Sequence, residues 1–455
     1  MGTQMGNYRW LVVVLLLTAT TINYLDRQII GLLKPVLEVE FQWTETDFAR
    51  IVMAFTAAYA IGLLISGGLI DKVGTRVGYS ISAVIWSVSG MLHALARSAW
   101  GFGLARVGLG LGEAGNFPAA VKVVAEWFPE RERALATGIF NAGTSIGVVS
   151  ALLIVPIILT HLRWQEVFWI TGGLGLVWVI FWWAFYEIPS RQKRLSPRER
   201  TYIEEGTISL PDARNAMNAG LALPASEGFQ SAGAPADFQR PIRWQRLFTF
   251  PQTWAFIAGK AFIDPIYWFF LFWLPSYFNA HFSLDLRKPN LQLMTIYAAT
   301  TVGSIGGGYL SSWLVKRGWP VLRARKASLL LFAFMEVSII LAQFAHSPWV
   351  AVGLISLAVA VHQAWATNIF TMASDLFPKE AVSSVVGIGG MAGAIGGILF
   401  PMLVGYLLDS YKQSGNIVAG YNLLFTFCGF TYVLTWVIIH LLTRHRTRVP
   451  LESLV

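Results

Sequence analysis

Long apolar runs separated by short polar segments set the period of this chain. Twelve are long enough to cross ~30 Å of hydrocarbon as helices. They lie at about 10–30, 48–70, 79–97, 100–125, 134–159, 166–186, 251–279, 291–315, 326–345, 348–373, 382–408 and 420–443. None shows the alternation over ~10 residues that a transmembrane β-strand requires. The first run carries Asn23, Asp26 and Arg27 and lacks a clear cleavage site, so it reads as a span rather than a signal peptide. The pattern predicts an all-α membrane protein of twelve helices.

Composition supports this reading. Of 455 residues, 55% are hydrophobic and 13% are charged, about half the ~25% charge of a soluble globular domain. The 42 Gly and 19 Trp suit helices packed closely in lipid with aromatic rings at the interfaces. A single cysteine, Cys428, excludes an intramolecular disulfide and a thiolate metal cluster. No cofactor or metal is expected. The net charge of +9 would suggest nucleic acid in a soluble protein. Here its distribution matters more. With the N-terminus inside, the segments assigned to the cytoplasm hold 23 Lys and Arg, against 7 outside. That bias predicts cytoplasmic termini and needs no nucleic-acid partner. The expected setting is multi-pass, in the lipid bilayer of the inner (plasma) membrane, as a monomer.

The polar segment after the sixth run divides the chain into a six-helix bundle at 1–187, a linker at 188–247 and a second six-helix bundle at 248–455. Within the linker, Ser196-Pro197-Arg198-Glu199 has the spacing of a capping box, with Pro at the first helical position. It predicts a short surface helix through Glu205. Residues 208–240 are rich in Ala, Gly, Ser and Pro and read as a flexible tether. The halves echo one another. Phe128-Pro129 follows the fourth run and Phe377-Pro378 the tenth, and Gly138 and Gly387 each lie ten residues beyond the Phe. Ala142-Gly143 and Ala392-Gly393 continue the match. Parallel repeats of this kind place a binding site between the bundles near the midplane.

The loop between the second and third runs reads Gly67-Gly68-Leu69-Ile70-Asp71-Lys72-Val73-Gly74-Thr75-Arg76. Gly67 allows close helix packing, and Gly74 a tight turn. Asp71 can pair with a cation or a helix N-terminus in one conformation and release it in another. The pattern resembles the signature loop of the major facilitator superfamily, which implies conformational gating by Gly67, Asp71, Lys72, Gly74 and Arg76. The corresponding loop in the second half, Gly308 to Gly318, lacks the Asp, so a weaker latch is expected there.

Ionisable residues inside the spans mark function by default, because an unpaired charge in hydrocarbon is costly. The first helix carries Asn23-Tyr24-Leu25-Asp26-Arg27, and the fourth carries Arg106 and Glu113. Seven residues is nearly two helical turns, so Arg106 and Glu113 share a face ~10 Å apart. Two acids and two bases can neutralise one another, or serve only to set helix register. Arg offers a planar fork for a carboxylate, and a desolvated carboxyl can carry a proton near neutral pH. Protonating Asp26 or Glu113 would then free an Arg for an anionic substrate, which is symport.

These residues, with Tyr59, resemble the anion:cation symporter family. Lys260 to Pro265, Phe140-Asn141, His362-Gln363 and Ser374-Asp375 are similar to its hexuronate transporter branch, with Lys260 where that branch has Arg. The resemblance implies proton coupling by Asp26 and Glu113. It implies binding of a sugar acid by Tyr24, Arg27, Tyr59, Arg106, Asn141, Lys260, Asp264, His362 and Gln363. Lys260 and Asp264 share a helix face at i,i+4, and Pro265 permits a kink. A membrane enzyme would need a nucleophile–base set or metal spacing such as His-x-x-x-His, and the seven His show none. A drug exporter would carry Gly-Pro in the fifth helix, where this chain has Gly147-Val148. An organic-anion exchanger or uniporter of the same fold, not coupled to protons, is the alternative that stays open.

Overall fold

The computed structural model describes residues 6–43, 45–205, 244–282, 291–444 and 448–454. The tether at 208–240 lies outside them. The described residues form fifteen α-helices joined by short 3-10 segments and turns. They are α1 (Tyr8–Phe41), α2 (Glu45–Val73), α3 (Thr75–Leu92), α4 (Ala99–Glu113), α5 (Asn116–Trp127), α6 (Glu130–His161), α7 (Trp164–Phe185) and α8 (Pro197–Glu205). After the linker come α9 (Pro251–Ala261), α10 (Asp264–Phe282), α11 (Leu291–Lys316), α12 (Val321–Glu336), α13 (Pro348–Leu376), α14 (Val382–Gln413) and α15 (Ile417–Thr443). Eight helices, one of them α12 extended through its 3-10 continuation, are long and apolar enough to cross a membrane by length and composition. The other predicted runs correspond to α3, α11 and two broken helices.

The breaks have local causes. The predicted fourth run divides into α4 and α5 at Ala114-Gly115, where Gly115 packs so tightly on Ser82 that a Cβ would collide with its hydroxyl. The predicted seventh run divides into α9 and α10 at Phe262-Ile263. Pro265 stands in the first turn of α10, where its missing N–H has no partner to lose. Asp264 opens that helix, and its carboxylate stabilises the N-terminal end.

In the first half α1 packs on α6, and α2 and α3 on α4. In the second α11 packs on α13, while α9 and α12 pack on α15. The halves meet where α6 crosses α11 and where α2 crosses α14. Glycine makes both crossings possible. A Cβ at Gly67 would collide with the Ser383 carbonyl, and one at Gly387 with the Leu63 carbonyl. At the other crossing, Gly308 meets the Ala134 carbonyl and Gly138 the Ser304 carbonyl. The repeat glycines of the sequence are thus points where backbones from opposite halves touch.

Each crossing carries a polar latch. At α2–α14, Asp71 Oδ1 accepts from Lys122 Nζ at 2.8 Å and from the Ser383 N–H at 3.2 Å. Its Oδ2 accepts from the Ser384 N–H at 2.6 Å. The carboxylate therefore satisfies the orphan donors that open α14 and lies against the positive end of that helix. Gly74 turns the chain with φ 85°, Lys72 is exposed, and Arg76 pairs with Glu187 and stacks on Trp183 at 4.5 Å. At α6–α11, Ser312 occupies the place of Asp71, four residues beyond its glycine, and accepts from the Leu135 N–H at 3.2 Å.

That copy is neutral, as the missing Asp implies, and a separate ion cluster lies beside it. Asp375 at the end of α13 receives Arg133 of α6 at 3.1 Å and Arg325 of α12 at 3.0 Å. Both guanidiniums are fully buried. Arg325 also donates to the Glu130 carbonyl at 2.7 Å, and Arg133 to the Ser374 carbonyl at 3.1 Å. Burial, and then Arg133, pushes the nearby Lys379 ammonium below its ordinary pKa, a mark of the positive field here.

The linker helix α8 is not a free surface helix. Ser196 Oγ accepts from the Glu199 N–H at 3.2 Å, but the Glu199 carboxylate is fully buried and turns to the start of α1. It accepts from the Tyr8 and Arg9 N–H groups, each at 3.1 Å, and pairs with the Arg9 guanidinium at 2.9 Å. Arg9 also pairs with Glu132, next to the latch residue Arg133.

Two expectations follow. Asp71→Asn removes the charge from three hydrogen bonds, and a charge-assisted bond is worth ~1.5–3 kcal/mol. The ratio of closed to open states at this end should fall ~10–100-fold. Spin labels on exposed Lys72 and Arg317 should show a growing long-distance population, and an unchanged distribution would contradict the latch. Asp375→Asn leaves two buried guanidiniums without their carboxylate, a loss of ~3–5 kcal/mol. It should lower thermal stability more than Asp71→Asn does, and equal melting shifts would contradict the ranking.

Candidate functional site

Beyond the crossings the two halves enclose a cleft. Phe117 of α5 stacks on Phe370 of α13 at 5.0 Å and separates the cleft from the sealed end. Above this pair, Tyr24, Arg27, Tyr59, Asp264 and Tyr267 keep partial exposure.

On the first-half wall, Arg27 of α1 holds Glu113 of α4. Its Nε and Nη2 lie 2.8 Å from Glu113 Oε2. The guanidinium is framed by three rings, Tyr24 and Tyr59 each at 4.6 Å and Phe55 at 5.2 Å. Such framing favours a weakly hydrated planar cation and fixes its orientation. The position of α1 is set by α6, where Gly147 lets the backbone at Thr21 and the Tyr24 side chain come close. Glu113 is placed by the end of α4, with Gly110 and Gly112 drawing that helix against α2 and α3.

Shared helix face alone suggested Arg106 as the neighbour of Glu113. The structure instead pairs Glu113 with Arg27. Arg106 is 2% exposed; its guanidinium lies 5.5 Å over the Phe55 ring, and among the described residues its Nε and Nη2 make no hydrogen bond. Asp26 is equally buried, and among the described residues neither carboxylate oxygen makes a hydrogen bond of good geometry. It lies in the field of Arg106 and Glu113 and faces Thr171 of α7. The Asn23 amide beside it is also unsatisfied. One wall thus holds a made ion pair and, behind it, a buried arginine and a buried carboxyl in each other's field.

On the second-half wall, Lys260 and Asp264 flank the α9–α10 break and pair at 2.7 Å. The Lys260 ammonium also sits 4.4 Å over the Phe370 ring. Gly389 and Gly393 of α14 make room for them, since a Cβ at Gly393 would meet the Asp264 carboxylate. Tyr24 faces Tyr267 across the cleft, and Tyr59 faces Asp264. Asn141 of α6 donates to Gln363 Oε1 and to Ser304 Oγ, both at 2.9 Å, and so bridges the halves. His362 lies one layer back. It stacks on Tyr267 at 4.9 Å, and its Nδ1 is 2.6 Å from the Tyr432 hydroxyl.

Of the residues singled out from the sequence, Tyr24, Asp26, Arg27, Tyr59, Arg106 and Glu113 come together on one wall, and Lys260, Asp264, His362 and Gln363 on the other. Asn141 sits between them. Asp71 and its loop lie at the sealed end, apart from both. Sequence reasoning missed Tyr267, one turn beyond Asp264, and the floor pair Phe117 and Phe370. It also missed Lys122, whose signal was present as a charge inside the predicted span 100–125.

The cleft can hold a small anion with hydroxyl groups. Arginine is available for a carboxylate, carboxyls for protons, and Tyr, Asn and Gln for hydroxyls. Comparison with known proteins agrees with this chemistry. The chain is 29% identical over 405 residues to the hexuronate transporter of Escherichia coli (strain K12), covering 88% of each. It is 32% identical over 303 residues to the galacturonate transporter of Dickeya chrysanthemi, covering 66% of this chain and 81% of that one. In fold it is similar to the proton:xylose symporter XylE bound to 6-bromo-6-deoxy-D-glucose, with a TM-score of 0.68 at 16% identity over 95% of each chain. These relatives are transporters, not enzymes. The family model of the Major Facilitator Superfamily matches residues 16–401; the chain is a multi-pass membrane protein and belongs to that superfamily.

Proposed function

We propose that this chain imports a sugar acid of the hexuronate class together with protons, by alternating access. The observation that carries the reading is the Arg27–Glu113 pair, with Arg27 partly exposed to the cleft and Glu113 fully buried behind it, backed by the buried Arg106 and Asp26. The curated relatives, named as hexuronate and galacturonate transporters, support the substrate class.

In this reading all twelve runs cross the inner membrane, as two bundles at 1–187 and 248–455 joined by the linker at 188–247. The basic segments, both termini and both latches are cytoplasmic. The sealed end is then the cytoplasmic one, and the cleft faces outward. A proton reaching Glu113 neutralises the carboxylate that holds Arg27. The guanidinium then offers its fork to the substrate carboxylate without leaving its cage of rings. Arg106 supplies a second cation deeper in the wall, and Asp26 a second proton site. Proton and anion bind cooperatively because each removes the cost of burying the other's partner alone. Tyr24, Tyr59 and the Lys260–Asp264 pair meet the sugar hydroxyls. Asn141, His362 and Gln363 lie where closure of the cleft brings substrate against the bridge between the halves. Gating at Gly67, Asp71, Lys72, Gly74 and Arg76 follows release of the α14 N-terminus.

Paired variants test this assignment. Glu113→Gln removes the titrating group and leaves Arg27 free. It should bind sugar acid and exchange it across a proteoliposome membrane, yet fail to accumulate it against a concentration gradient. Arg27→Gln removes a charge-assisted bond to the substrate, worth ~1.5–3 kcal/mol, so affinity should fall ~10–100-fold and exchange with it. Equal loss of folded protein and of exchange in both variants would reduce the pair to a helix tie. Undiminished accumulation by Glu113→Gln would favour a transporter not coupled to protons.

A further inference from the structure

The second half contains a carboxyl that the cleft chemistry does not use. Glu336 is the last residue of α12, immediately before the helix tightens into the 3-10 segment Val337–Phe344. It lies eleven residues beyond the latch arginine Arg325, about 16 Å along the helix, which puts it deep within the bundle. The residue is fully buried, and neither carboxylate oxygen has a hydrogen-bond partner among the described residues. No Lys, Arg or His forms an ion pair with it there. In this arrangement an ionised carboxylate would be buried without a partner, and a proton on the group removes that cost.

Its neighbours give that proton a way out. The helix α12 packs on α15, which carries the buried Cys428 and Tyr432, and both lie within electrostatic range of Glu336. The Tyr432 hydroxyl is 2.6 Å from His362 Nδ1. His362 on α13 stacks on Tyr267, which borders the cleft. Lys260 and Asp264 stand on the cleft side of this chain, acting on His362 and Tyr432 respectively. The 3-10 segment that follows Glu336 has poorer hydrogen-bond geometry than the α-helix before it, so the backbone on that side of Glu336 yields more readily as the halves move.

We propose that Glu336 is a further proton-binding site, outside the cleft wall, loaded in the sealed state described here and emptied toward the cleft through Tyr432 and His362. In the step, the carboxyl turns onto the Tyr432 oxygen and transfers its proton there, as the Tyr432 hydroxyl proton passes to His362 Nδ1. His362 then releases the proton on Nε2 to cleft water. One proton leaves, Glu336 becomes a carboxylate, and Tyr432 and His362 end neutral.

The inference rests on the proton-coupled reading above, and the test separates the two. In the purified full chain, infrared difference spectra should show the carbonyl band of a protonated carboxylic acid at neutral pH. Glu336→Gln should abolish that band. In proteoliposomes, Glu336→Gln should keep sugar-acid exchange and lower the number of protons carried per substrate by one. A wild type that carries no protons would overturn the proposed function. A wild type that carries them, with the same ratio in Glu336→Gln, would overturn only the role of Glu336. A band that survives Glu336→Gln would do so too. If Glu336→Gln folds poorly, Glu336→Asp keeps the acid, and its retention of the band and the full ratio would support the site; loss of both would count against it.

Discussion

A charge that is removed from water must find a partner, and this molecule is arranged around that requirement. The bundle interior offers little to solvate an ion, so each buried cation and carboxylate is tied to another or to a helix end, or left poised for something that will arrive. Tied groups hold one conformation. Asp71 is held by Lys122 and the first turn of α14, and Asp375 by Arg133 and Arg325. The poised groups are Asp26, Arg106 and Glu336, buried with open hydrogen-bonding positions. Arg27 and Glu113 stand between the two classes, paired but at the edge of the cleft.

Glycine decides where the tied groups can sit. Four backbone contacts between the halves, at Gly67, Gly387, Gly138 and Gly308, bring helix starts close enough for side chains at the loops to cap them. The two crossings are related by the internal repeat but use different chemistry. One is an acidic cap, and the other a single serine hydrogen bond to the α6 backbone with a separate ion cluster beside it. Opening the sealed end has to break both, and the broken partners are then reached by water rather than left dry. The linker joins this arrangement through Glu199, which caps α1 and grips Arg9, itself paired with Glu132 beside Arg133. The position of the linker helix is thus connected to the latch by a short chain of buried pairs.

Much of this was legible in the sequence, and the part that was not has a common cause. Apolar run length predicts the helices, and Pro265 marks the α9–α10 break. The Gly67–Asp71 spacing indicates a residue able to cap a helix. Intramembrane charge identifies Asp26, Arg27, Arg106 and Glu113 as a group. Pairing within the group was not legible, because a shared face places Arg106 near Glu113 without saying which helix packs opposite. Partners separated by hundreds of residues, such as Asp71 with Ser384 or Arg133 with Asp375, leave no periodic trace. The ion cluster beside the second loop was hidden for the same reason, because Asp375 lies on another helix from Arg133 and Arg325.

The central claim is that an anion entering this cleft brings protons with it. The most direct measurement uses proteoliposomes containing the purified chain and an internal pH indicator, with no imposed proton gradient. A sugar acid is added outside. The account predicts acidification of the lumen that follows substrate entry, scales with its rate and vanishes without protein. Substrate entry at an unchanged internal pH, under conditions where the indicator responds to a control acid, would contradict it.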